Sequence, residues 1–140
     1  TPAELRTLRQ RPVRGGHVPL MSVIYTATVK LFTVGKPDYT RVGRGLLDFD
    51  GHGVFSDDGK WMATDTYPDK LGERKLMVLR MSDQAVLPLG TYFVPEIYRE
   101  TYSRCDLHPR WRPDGRMLAF NSVHEGSRQV YVIDIGDTQH

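Results

Sequence analysis

Between residues 20 and 35 apolar and polar positions alternate, with Met21, Val23, Tyr25, Ala27, Val29 and Leu31 sharing one parity. A period of two carrying β-branched residues argues for strand. The run is long for a single strand, so a bend or hairpin is expected near Thr26 to Thr28. Gly35-Lys36-Pro37-Asp38 reads as a turn, and Tyr39 to Val42 as a returning strand. Beyond Asp50 the pattern shortens. Val54-Phe55-Ser56 runs into Asp58-Gly59, a longer strand spans Lys60 to Thr66, and a third covers Leu76 to Met81. Gln84 to Gly90 closes the outer edge, where Pro88 is tolerable because an edge strand need not donate every N–H.

This block recurs. His52, Phe55, Asp58-Gly59, Lys60, Ala63 and Asp65 return 56 residues later as His108, Trp111, Asp114-Gly115, Arg116, Ala119 and Asn121. Arg74 to Leu79 returns as Arg128 to Ile133. An Asp-Gly pair suits a tight hairpin because both residues tolerate positive φ. Strand blocks repeating at such a period, with aromatic residues at fixed places, predict β-propeller blades. A single β-sandwich is the alternative. The chain is therefore read as all-β, a partial β-propeller of two full blades and part of a third. Residues 1–18 form a polar N-terminal segment, with a short helix over Pro2 to Gln10. Residues 19–140 form the partial propeller, with blades at about 19–50, 51–106 and 107–136. Residues 91–105, rich in Tyr, Glu and Arg, lengthen the period, and long loops on a rigid scaffold often carry function.

Composition narrows the partners. The 140 residues carry a net charge of +2, from 19 basic and 17 acidic side chains. Arg6, Arg9, Arg11 and Arg14 cluster near the start, but a nucleic-acid partner would need a sustained basic face, and none is expected. No apolar run is long enough to span a bilayer, so no membrane partner is expected either. The one cysteine, Cys105, leaves no internal disulfide. Two blades and part of a third suggest a segment of a longer propeller, or a chain that self-associates through open blade edges.

Propeller geometry places equivalent residues of adjacent blades side by side. His52 and His108 begin their first strands and should converge near one mouth of the channel. Cys105 lies three residues before His108, and His124 follows the second strand of its blade. Imidazole and thiolate are ligands for zinc and similar metals, so His52, Cys105, His108 and His124 form a candidate metal set. Read structurally, the histidines bond the backbone and Cys105 is a small buried hydrophobe. Arg110, two residues after His108, should share its face and could grip a carboxylate or pair with Asp106. Tyr67, in the Asp65-Thr66-Tyr67-Pro68-Asp69 string, is a candidate substrate contact, the other reading of that string being a plain turn. Trp61 and Trp111 are read as core.

Several strings carry a resemblance. Asp50-Gly51-His52, Thr64-Asp65-Thr66-Tyr67-Pro68-Asp69, Arg104-Cys105-Asp106-Leu107-His108-Pro109-Arg110-Trp111 and Ser122-Val123-His124-Glu125-Gly126 resemble the carboxy-terminal blades of oligogalacturonate-lyase-like propellers. Ulvan lyases are similar, and the Pro113-Asp114-Gly115 turn is shared with TolB-type propellers. The resemblance covers residues 18–136. It implies a divalent metal, manganese or zinc, held mainly by histidines, and an acidic oligosaccharide cleaved by β-elimination. The family pattern places a His at one blade start and Gln-x-x-His-x-His on the next. His52 matches the first and His108 the middle His. Cys105 stands in the Gln place and Arg110 in that of the last His, which shifts the implied metal toward zinc. No residue here takes the family's base role, so the catalytic residues stay unknown. A TolB-like binding module without chemistry is the alternative.

Overall fold

The computed structural model describes residues 7–8, 20–25, 28–43, 45, 47, 49–99 and 101–136. They form three antiparallel sheets. The first runs in the order β1 (Thr7–Leu8), β2 (Leu20–Tyr25), β3 (Thr28–Thr33), β4 (Tyr39–Val42). The second runs β5 (Gly53–Phe55), β6 (Trp61–Asp65), β7 (Glu73–Arg80), β8 (Val86–Phe93). The third has β9 (Arg110–Trp111), β10 (Met117–Ser122) and β11 (Gln129–Asp134), with β10 in the middle. No helix among the described residues is long and apolar enough to cross a membrane.

The long alternating run breaks where expected, β2 pairing with β3 out to Tyr25↔Thr28. Thr7–Leu8 corrects the helix over Pro2 to Gln10. It pairs as strand with Val23 and Ser22, and the rest of that predicted helix lies outside the described residues. A short isolated helix is marginal, whereas an adjacent strand edge offers backbone partners at once.

Burial shows how the sheets stack. All five residues of β6 are buried, as expected of a strand covered on both faces. Alternation divides them between two cores. Met62, Met77 and Leu79 pack with Val29, Leu31, Val42 and Phe55 toward the first sheet. Trp61, Ala63, Leu76 and Val78 pack with Leu107, Leu118 and Phe120 toward the third. In β10 only alternate residues are buried, so that sheet is packed on one face.

The two repeated turns share one mechanism. Asp58 Oδ1 accepts the Lys60 N–H at 3.0 Å, and Asp114 Oδ1 accepts the Arg116 N–H at 3.0 Å. Only the glycines use left-handed backbone, Gly59 at φ 70° and Gly115 at φ 71°. The aspartates act through their side chains, as in Asx-turns.

Candidate functional site

The site is built where two blades begin. His52 precedes β5 and Asp65 ends β6, and Asp65 N–H donates to His52 C=O at 3.1 Å. This brings the Asp65 carboxylate under the imidazole. His52 N–H donates to Asp65 Oδ1 at 2.6 Å, and His52 Nδ1 lies 3.0 and 3.1 Å from Oδ1 and Oδ2. The Asp65 side chain is fully buried. Gly51 permits the approach, since a Cβ there would stand 1.7 Å from the Asp65 carbonyl oxygen.

The next blade does not copy this arrangement. Asn121, the counterpart of Asp65, donates its N–H to Leu107 rather than to His108. The third sheet therefore holds one extra residue at this end, as in a β-bulge. His108 takes it up in the left-handed region, at φ 44°. Its N–H leaves its own sheet and donates to Asp65 Oδ2 at 3.0 Å. One buried carboxylate thus gathers both histidines, whose ring centroids lie 3.9 Å apart at 35°.

Asp106 completes the cluster. Donor atoms of His52, Asp106 and His108 lie within 4.8 Å of one another. Asp106 is also gripped by two guanidiniums. Arg104 Nε donates to both its oxygens, at 2.9 and 3.1 Å. Arg74, fully buried, brings Nη2 to 2.6 Å from Oδ1, an ion pair that lies off the line of a hydrogen bond. Arg74 Nη1 donates to the Thr66 carbonyl at 3.3 Å, while Nε has no hydrogen-bond partner among the described residues.

Burial alone would raise the Asp106 carboxyl. The Arg104 hydrogen bond and the charges of Arg74 and Arg104 outweigh it and hold the group below the ordinary carboxylate value. Burial and the neighbouring His52 push the His108 imidazole below its ordinary value, although Asp65 and Asp106 pull the other way. The cluster at neutral pH thus offers a neutral imidazole at His108 and an ionised carboxylate at Asp106.

Of the sequence candidates, His52 and His108 meet. Cys105 does not join them. It is 3% exposed, packs with Val94, Val123 and Tyr98, and burial raises its thiol above the ordinary value, which disfavours the thiolate a metal needs. His124 sits elsewhere, with Nδ1 2.7 Å from Ser122 Oγ and its ring against Tyr92 and Tyr131. Arg110 is exposed and donates to Asn121 Oδ1 at 3.1 Å. The bend at His108 breaks the alternation that would have set the two on one face, and the partners of Asp106 are Arg74 and Arg104. Tyr67 borders the cluster, its ring edge-on to His52 at 5.8 Å and beneath the Arg104 guanidinium at 4.8 Å. Asp65, Asp106 and Arg74 were not among the sequence candidates. Asp65 and Asp106 lie inside the Asp-Thr-Tyr-Pro and Cys-Asp-Leu-His strings, and Asp65 also belongs to the repeat, the signals that could have marked them.

Three antiparallel sheets stacked through shared cores, with one site where the second and third sheets begin, define an all-β partial β-propeller. Solved structures agree. The chain is similar to an oligogalacturonate lyase from Vibrio parahaemolyticus, with a TM-score of 0.68 and 15% identity over 96% of this chain and 37% of that one. It is similar to TolB from Acinetobacter baumannii, with a TM-score of 0.60 and 22% identity over 84% of this chain and 27% of that one. The likeness establishes the propeller fold, and the chain spans well under half the length of either protein. No protein-family model matches the chain, and no curated protein sequence matches it.

Proposed function

We propose that this chain is the metal-binding part of a polysaccharide-lyase-type propeller, which in the intact protein cleaves uronate-containing oligosaccharides by β-elimination. The observation that carries the reading is the meeting of His52, His108 and Asp106 over the buried Asp65. A ligating imidazole needs its second nitrogen fixed by an acceptor, and Asp65 supplies that acceptor to His52 Nδ1. His52 Nε2, a ring nitrogen of His108 and an Asp106 oxygen would then hold a divalent cation. With Cys105 outside the set the donors are nitrogen and oxygen, which suit manganese as well as zinc.

A bound cation would supply charge stabilisation to the enolate that forms when a C5 proton leaves beside the uronate carboxylate. The chain's own residues hold the donors in place and set their protonation. Asp65 orients His52, burial keeps His108 neutral, and Arg74 with Arg104 keeps Asp106 ionised. The base is assigned to no residue of this chain.

The alternative is a TolB-like binding module without chemistry. The grip of two arginines on Asp106 favours it, because that carboxylate is already neutralised. Elemental analysis after chelation and reloading separates the two readings. Near-stoichiometric manganese or zinc, lost in both His52→Ala and His108→Ala but kept in Cys105→Ala, supports the metal centre. No retained metal in the folded wild type sinks it.

A further inference from the structure

We propose that Arg104 is a built-in competitor for the metal: its guanidinium and a divalent cation take turns on the Asp106 carboxylate, while Arg74 stays on it throughout. The inference rests on the metal reading above and concerns the regulation of that same site. Both arginines reach one carboxylate, but they are held differently. Arg74 is fully buried, with Nη2 2.6 Å from Asp106 Oδ1 and Nη1 donating to the Thr66 carbonyl at 3.3 Å. Its departure would strand a charge in the interior. The Arg104 side chain is 40% exposed. An exposed ion pair contributes little net stability, so its release costs little.

Arg104 can let go without disturbing the chain. Its backbone N–H donates to the Thr101 carbonyl at 2.9 Å, and its own carbonyl accepts Arg128 Nη2 at 2.9 Å. The backbone is pinned on both sides, so only the side chain has to turn. Beside it opens a cleft of about 370 Å³, lined by Tyr67, Pro68, Asp69, Lys70 and Arg99 as well as Arg104. The Tyr67 ring, 4.8 Å from the guanidinium, gives that charge a second partner besides Asp106. The like charges of Lys70 and Arg99 in the same cleft favour its return to Asp106.

Charge decides which state takes a cation. Asp65 and Asp106 bring two negative charges to the histidine pair, Arg74 and Arg104 bring two positive ones, and a ligating imidazole brings none. With Arg104 on Asp106 these groups balance, and a dication would add two uncompensated charges. With Arg104 turned away the carboxylates outnumber Arg74 by one, and the set attracts a cation. Arg110 acts on His108 in both states and turns its guanidinium to Asn121. Release also frees a ligand atom. Arg104 Nε donates to Asp106 Oδ1 and Oδ2 at 2.9 and 3.1 Å, and Oδ2 is the oxygen that lies 3.9 Å from His108 Nε2. Arg74 sits on Oδ1, so it steadies the carboxylate while leaving Oδ2 to the cation.

The test titrates zinc ion, set by a competing chelator, into the folded 140-residue chain, with circular dichroism as the check on folding. Arg104→Gln is expected to bind zinc about tenfold more tightly than the wild type, because the competing charge is gone. Arg104→Lys keeps that charge and should stay within about threefold of the wild type. A second readout follows the arginine Nε–H signals by NMR in the same titration. The Arg104 Nε–H should lose its bonded shift and exchange faster with solvent as zinc is added, while the shielded Arg74 Nε–H persists. Equal or weaker zinc binding by Arg104→Gln would overturn the proposal and leave the metal reading standing. So would an Arg104 Nε–H signal that stays bonded while the His52 and His108 ring signals respond to zinc. No zinc binding by the wild type or by either variant would overturn both.

Discussion

Asp65 and His108 lie 43 residues apart on different blades, yet the carboxylate of the first accepts the backbone N–H of the second at 3.0 Å. The same carboxylate accepts the N–H and contacts the Nδ1 of His52. A single buried anion therefore does two things. It closes the seam between adjacent blades and fixes how two imidazoles face one another.

Replacing Asp65 tests both roles. Asp65→Ala leaves those donors without an acceptor in a buried site, and each orphaned group costs about 1–3 kcal/mol. A loss of about 3 kcal/mol in urea unfolding is expected. Asp65→Asn keeps the shape and one acceptor oxygen, and should recover part of the stability. It should also shift the His52 imidazole toward the other tautomer, seen in its ring ¹⁵N shifts. Unchanged stability in Asp65→Ala would show that the seam holds without it.

Gly51→Ala should be among the most damaging small substitutions in the chain. The added methyl would meet the Asp65 carbonyl oxygen at 1.7 Å, and that atom is backbone with little room to move. Overpacking of this kind costs about 1–3 kcal/mol. The expected sign is a lower thermal midpoint, with the histidine pair pulled apart. Gly126→Ala makes a useful contrast, since a Cβ there meets nothing within 4 Å and only the left-handed backbone at φ 93° is strained.

Much of the fold was legible because the chain repeats itself. The Asp58-Gly59 and Asp114-Gly115 turns, the paired strands beside them and the alternation before Thr33 all follow local rules. Convergence of His52 and His108 followed from repeat geometry alone. The position of Cys105 did not. Spacing put it near His108, but its side chain packs in an apolar pocket with Val94 and Val123. The extra residue at His108 was equally hidden. It depends on which carbonyl the Asn121 N–H selects, a choice made by two blades packing together. Arg74 looked like any strand arginine until Asp106, in the connection between the second and third sheets, came to face it.

Its spacing to His108 made Cys105 a candidate ligand, but its surroundings are those of a core residue. Burial keeps the thiol protonated, so native protein should react slowly with a thiol reagent and quickly once unfolded. Cys105→Ala should cost about 1 kcal/mol through lost packing and leave metal content unchanged. Fast modification of the native chain would contradict the burial described here.

Arg74 carries a charge at zero exposure. Arg74→Met keeps the stem and removes the ion pair, leaving Asp106 to Arg104 alone. Breaking one side of a buried pair typically costs about 3–5 kcal/mol. The partial exposure of Asp106 places the expected loss near the lower end, about 3 kcal/mol. Adding Asp106→Asn should restore part of it, since the uncompensated carboxylate is then gone. A double-mutant cycle with no coupling would show that the two groups are held by their surroundings and not by each other.

The pH dependence of stability should carry the mark of His108. Its pKa in the folded chain is below the ordinary value of 6.5, first through burial and next through the charge of His52, with Arg110 adding to the effect. Above pH 6.5 both folded and unfolded chains hold this imidazole neutral, and its contribution is fully present. As pH falls through 6.5 the unfolded chain takes up a proton before the folded chain does. Stability therefore declines from that point down to the folded pKa, below which the loss is complete. Asp106, with its carboxyl held below 3.8, gives a decline of the same sign in a separate and more acid window. Urea unfolding at pH 8 and pH 5 should show the wild type losing stability over that span. His108→Gln should lose less, because no proton can bind at that position in either state. Equal losses in the two proteins would mean that His108 titrates alike in the folded and unfolded chain.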